Sequence, residues 1–121
     1  MIIKKDKFEK IIETDLISFC ILKDSKINCH SIKFKVRLES NEPINNVDLG
    51  DEHSCIGIDD WFKSILSNKI IIDKENSEIE KYFSQKLFVN DVNLPYISKT
   101  LFQILERLLP NNLNLISLSY E

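Results

Sequence analysis

Asn28-Cys29-His30-Ser31-Ile32-Lys33-Phe34-Lys35-Val36-Arg37-Leu38-Glu39 is the stretch on which the fold turns. His30, Ile32, Phe34, Val36 and Leu38 share one parity; Cys29, Ser31, Lys33, Lys35, Arg37 and Glu39 share the other. That is the period of a half-buried strand, because successive side chains point to opposite faces of a sheet. Just upstream, residues 15–23 (DLISFCILK) form an apolar β-type run. The turn-prone Asp24-Ser25-Lys26 between the two runs predicts a hairpin.

Working outward, residues 40–53 collect Asn, Asp, Pro and Gly and read as an exposed loop. A helix follows, with Asp59 or Asp60 as its N-cap and Trp61, Phe62, Ile65 and Leu66 as its buried stripe. Residues 69–72 close this element as helix end or short strand. Residues 74–86 predict a shorter amphipathic helix with Ile79, Tyr82 and Phe83 on one side. A longer helix starts at Pro95, whose missing N–H suits a first turn, and Ile97, Leu101, Ile104, Leu105 and Leu108 continue its stripe. Pro110-Asn111-Asn112 stops it, and residues 113–120 form a last strand.

The order strand, strand, helix, helix, helix, strand predicts a single α+β domain over residues 1–121, a small antiparallel sheet with helices packed on one face. A sheet this small has open edges, so a homo-oligomer is expected.

With 121 residues, 43% hydrophobic and 29% charged, the chain fits one globular domain. Two glycines and no alanine exclude a glycine-rich phosphate loop. A net charge of −3 with dispersed lysines argues against nucleic acid as a partner. No apolar run nears the ~20 residues that cross a bilayer, and Met1 to Lys7 leads into charge rather than a signal-peptide core, so no membrane partner and a cytoplasmic location are expected. Cys20, Cys29 and Cys55 are odd in number and lack framework spacing, which predicts reduced thiols.

Candidate chemistry is sparse. The two histidines, His30 and His53, lack the spacing that presents two imidazoles to one metal. Cys29 and His30 point to opposite faces, and Cys20, His30, His53 and Cys55 converge only through tertiary folding. His30 is the one candidate ligand, against the plainer reading of a hydrogen-bonded core histidine, and no cofactor is expected. Cys29 is a candidate nucleophile or an ordinary thiol. Asp59-Asp60 are paired carboxylates or a helix start, and Asp73-Lys74 is equally ambiguous. Trp61, Phe62, Tyr82 and Phe83 stack on a flat ligand or pack a core. Asp48, Asp51 and Glu52 are a dock for a basic partner or a solvated loop.

The order and local pattern resemble those of the 6-pyruvoyl- and 6-carboxy-tetrahydropterin synthases, whose subunit is a T-fold. That family's H-G-H strand start is similar to His30-Ser31-Ile32, and its G-M-V-x-D-F-x-D-L-K lies over residues 54–63 (SCIGIDDWFK), matching at Lys63. Its L-D-H looks like Ile72-Asp73-Lys74, matching at Asp73, and its P-T-x-E-N like Pro95-Tyr96-Ile97-Ser98-Lys99. Glu121 stands where the family's E-T glutamate grips the pterin edge, and the family's fourth strand has no evident counterpart. The resemblance covers roughly residues 15–121 with an insertion around 74–92.

What the resemblance implies is a diverged scaffold. The family's zinc is held by three histidines; this sequence has two, so the zinc-dependent reaction is not expected. The leading expectation is a T-fold protein acting by assembly, partner association or binding of a pterin- or purine-like ligand through Glu121. An active tetrahydropterin synthase-type enzyme is a further alternative. A different class is a small acidic immunity or antitoxin-like protein that masks a basic toxin, supported by size, charge and the acids at 48–52.

Overall fold

The alternation over 28–39 is carried by two strands in two different sheets. The computed structural model describes residues 7–23, 26–45, 47–49, 56–73, 86–89 and 93–121. Its first four strands are β1 (Phe8–Glu13), β2 (Ile17–Lys23), β3 (Lys26–Ile32) and β4 (Phe34–Ser40). β2 pairs with β3 from Lys23↔Lys26 to Ile17↔Ile32, and β1 pairs with β4 from Glu13↔Lys35 to Phe8↔Ser40, both antiparallel. The two ladders are halves of one long hairpin folded at a corner, where residues 14–16 face residues 33–34. One extra residue on the first strand is a bulge, which is how a strand pair bends and passes from one sheet to another.

The corner leaves the side-chain phase untouched. Ile32, Phe34, Val36 and Leu38 are all buried, as the period of two requires, although the chain changes sheets between Ile32 and Phe34. Thr14 closes the corner: its N–H donates to the Phe34 carbonyl, its Oγ1 accepts from the Phe34 N–H and donates to the Asp15 carbonyl, each at 2.9 Å.

After a short pair of β5 (Asp48–Leu49) and β6 (Ile56–Gly57), helix α1 spans Ile58–Leu66. Gly57 is its N-cap without a side-chain bond, so neither Asp59 nor Asp60 caps it; both stand in its first turn. Ile58, Trp61, Phe62 and Leu66 form the buried stripe. Asn68, at φ 58°, reverses the chain after the helix, a left-handed position that asparagine tolerates. The segment at 69–72 proves to be strand: β7 (Ile70–Asp73) lies parallel to β2, and β8 (Lys86–Val89) lies parallel to β7. The helix expected at 74–86 falls outside the described residues except Lys86, which opens β8.

Helix α2 (Leu94–Leu108) carries Pro95 in its first turn, and the Asn93 side chain caps it by accepting from the Tyr96 N–H at 2.8 Å. β9 (Asn114–Tyr120) then pairs antiparallel with β4, with a bulge at Ile116.

The fold is α+β, as expected, with mostly antiparallel strands and two described helices. Instead of a single antiparallel sheet there are a three-stranded sheet β1-β4-β9, a mixed four-stranded sheet β3-β2-β7-β8 and the two-stranded β5-β6. One core joins them: Phe34 stacks on Phe62 at 4.7 Å between centroids, Trp61 meets Phe62 edge-on, and Ile97, Leu101 and Leu105 of α2 are buried in the same cluster. None of the described helices is long and apolar enough to cross a membrane.

Candidate functional site

The folded hairpin, the start of α2 and the end of β9 enclose a groove of about 350 Å³. Its polar lining is Lys23 from β2, Asn28 and His30 from β3, Asn93 at the helix cap and Tyr120 from β9, over apolar Ile21 and Leu94. Register explains the convergence: Ile21 lies opposite Asn28 and Phe19 opposite His30, so Asn28 and His30 share the face that also carries Phe19 and Ile21. His30 is half-buried with its ring tilted over Phe19 at 5.9 Å, and Tyr120 is tilted against Phe34 at 6.4 Å. The groove thus offers an ammonium, two amides, an imidazole and a phenol, the few convergent polar groups over an apolar floor that characterise small-molecule sites.

A second polar cluster fastens the corner to α1. Lys63 Nζ stands 2.9 Å from both Asp15 Oδ2 and Asp59 Oδ2, and Asp59 Oδ1 accepts from the Asp15 N–H at 3.1 Å. The hydrogen bond from Lys63, with its charge, holds the Asp15 carboxyl below its ordinary value of 3.8; bonds to Asp15 and Asp59 push the Lys63 ammonium above its ordinary 10.5. Every member is committed to a structural partner, so the cluster is a clasp. Of the Asp59-Asp60 pair, Asp59 is engaged by Lys63 and the Asp15 N–H, while Asp60 beside it is exposed.

The reduced-thiol expectation is corrected. Cys20 and Cys29 are joined in a disulfide, directly opposite one another in the β2–β3 ladder with Cα atoms 4.1 Å apart. Cys29 is therefore not a free nucleophile in this state. The pairing was already implied by the hairpin. The antiparallel register that pairs Lys23 with Lys26 sets Cys20 across from Cys29, and framework spacing is the wrong test for a cross-strand pair.

His30 is in the groove, and among the described residues no three His, Cys, Asp or Glu side chains cluster to hold a metal ion. Glu121 is exposed just past β9, its backbone N–H and carbonyl paired with Lys33 at 3.0 and 3.2 Å. Asp73 ends β7, opposite Val89. Asp48 is exposed in β5; Asp51 and Glu52 lie outside the described residues. The structure thus brings His30 near the end of β9, while Asp48 lies in the separate β5–β6 pair. Lys23, Asn28, Asn93 and Tyr120 are groove residues that the sequence reading does not single out. Asn28 had a signal, since it shares the parity of His30; the others join the groove through tertiary packing.

No protein-family model matches this chain, and neither a curated protein nor a solved structure matches it. The likeness to the tetrahydropterin synthases rests on the residue pattern alone.

Proposed function

We propose that the chain binds a small planar heterocycle of the pterin or purine class in the groove at His30 and Tyr120, as a T-fold-like scaffold without the zinc-dependent synthase reaction. What carries the reading is the convergence of Lys23, Asn28, His30, Asn93 and Tyr120 on one groove. Its volume lies at the lower end of the range for small-molecule sites, roughly 300–1,000 Å³. Imidazole and phenol rings suit a flat aromatic ligand, and the amides and ammonium suit its ring nitrogens and carbonyl oxygens. Glu121, the exposed neighbour of Tyr120, does not line this groove, so the ligand contact expected of its carboxylate is not part of this reading. Amide-resolved NMR titration with guanosine and with neopterin tests it. Saturable shifts confined to the segments around residues 21–30, 93–95 and 120–121 are expected; shifts elsewhere, or none, contradict it.

Assembly of copies is a second reading, favoured by the contrast between the two edges of the three-stranded sheet. β1 carries Glu9, Lys10 and Glu13, with Glu9 bound to Arg37 at 3.0 Å, and paired charge protects an edge. β9 carries no charged residue from Asn114 to Tyr120 and leaves Ile116 42% exposed at the bulge between its ladder pairs Ser117↔Arg37 and Leu115↔Leu38. Light scattering over a concentration series tests it: a concentration-dependent dimer that Ser117→Lys abolishes supports pairing through β9, and a monomer throughout excludes it.

A further inference from the structure

We propose that the Cys20–Cys29 pair is a reversible thiol-exchange site for a small acidic thiol of the glutathione class, with Cys29 as the sulfur that takes the mixed disulfide. Three features of the mixed sheet carry this. First, the pair lies on the hairpin face opposite to Phe19 and Ile21; Ser18 and Ser31 bridge there by a 2.7 Å hydroxyl contact, Leu22 and Ile72 farther along the same face are buried, and Cys29 is exposed while Cys20 is half-buried. Exposed disulfides are the labile ones.

Second, direction favours one sulfur. A thiolate must attack in line with the bond it breaks. Strand order β3-β2-β7-β8 puts Cys29 on the edge strand and Cys20 beside Ile70 of β7. Among the described residues no strand lies beyond Cys29, whereas Ile70 stands beside Cys20 in register. Third, a groove of about 510 Å³ opens beside the pair, lined by both sulfurs' residues with Lys69, His30, Ser18 and Ser31 among others, and by no acidic side chain among the described residues. Lys69, whose carbonyl accepts from the Cys20 N–H, stands on the β7 side of the pair, so an acidic thiol that reaches Cys29 from the β3 edge meets its ammonium by lying across both sulfurs.

The exchange balances without further reagents. One thiolate attacks Cys29 Sγ, the Cys20 sulfur leaves as thiolate and takes a proton, and Cys29 is left as the mixed disulfide. A second thiolate attacks the ligand's sulfur, releasing the oxidised dimer of the small thiol and returning Cys29 as a thiol. The protein gains two electrons and two protons; two small thiols lose them. Because ladder bonds on both sides of the pair already close the hairpin, opening the disulfide leaves the fold intact.

The experiment uses the full chain carrying Cys55→Ser. Brief reaction of the oxidised protein with reduced glutathione, acid quenching and peptide mapping reads where the glutathionyl group sits. Cys29 is expected to carry about tenfold more than Cys20; equal labelling, or labelling of Cys20, overturns the assignment. Lys69→Gln is expected to slow glutathione several-fold and leave the uncharged thiol 2-mercaptoethanol unchanged; equal slowing of both overturns the acidic-thiol preference. Recovery of two free thiols from protein equilibrated with oxidised glutathione, or loss of cooperative unfolding on reduction, overturns the site itself.

Discussion

Phe34 donates its backbone N–H to the hydroxyl of Thr14 at 2.9 Å while its carbonyl accepts from the Thr14 N–H at the same distance. A side-chain oxygen thus stands where a regular ladder would use a carbonyl, and the strand pair turns its corner without losing a hydrogen bond. Thr14 is only 3% exposed, so water cannot replace it.

Thr14→Val removes that acceptor and leaves the Phe34 N–H buried and unpaired, at a cost of about 1–3 kcal/mol. Thr14→Ser keeps the hydroxyl and loses much less. Urea denaturation of the two variants beside the parent checks the ordering; a larger loss in Thr14→Ser than in Thr14→Val would place the role in the methyl group instead.

The Lys63 clasp gives the protein an acid limb. Asp15 has a lower value folded than unfolded, so the unfolded chain binds more protons in this range and stability rises with pH. The contribution is complete above the ordinary carboxylate value of 3.8 and is lost as pH falls through the folded value. Lys63→Met is expected to flatten that limb below about pH 5 in denaturation measured against pH. Since Asp15 is 79% exposed, added salt shrinks the difference between the two proteins.

Phe62 is fully buried and stacked on Phe34, so Phe62→Ala costs about 3–5 kcal/mol. Phe8, 46% exposed at the end of β1, tolerates Phe8→Ala within about 0.5 kcal/mol. Thermal unfolding of both variants separates them; a similar loss in each would contradict the placement of the core.

Much of this architecture is legible in the sequence. The residues buried on one parity from Ile32 to Leu38 are those the alternation names. Of the helical stripes, Trp61, Phe62, Leu66, Ile97, Leu101 and Leu105 are buried as the spacing gives, whereas Ile65 is half-buried and Ile104 and Leu108 are exposed, because the buried arc of α2 is narrower than its apolar one. The corner at Lys33 is not legible, because a bend that preserves phase leaves no trace in hydrophobic periodicity. β1 is missed for another reason: as a half-exposed edge strand, Phe8–Glu13 has no clean alternation. Parallel pairing of β7 with β2 is set by the reversal at Asn68, one residue's backbone conformation. The groove is the least legible part, since its polar groups come from the β2–β3 hairpin, the start of α2 and the end of β9, three places far apart in the chain.

Calorimetric titration with guanosine and neopterin, comparing the parent with Asn28→Ala and His30→Ala, tests binding in that groove most directly. The account predicts saturable one-to-one binding of at least one heterocycle by the parent, weakened about threefold to tenfold in each variant. Absence of binding to either heterocycle, or affinity unchanged in both variants, would contradict it.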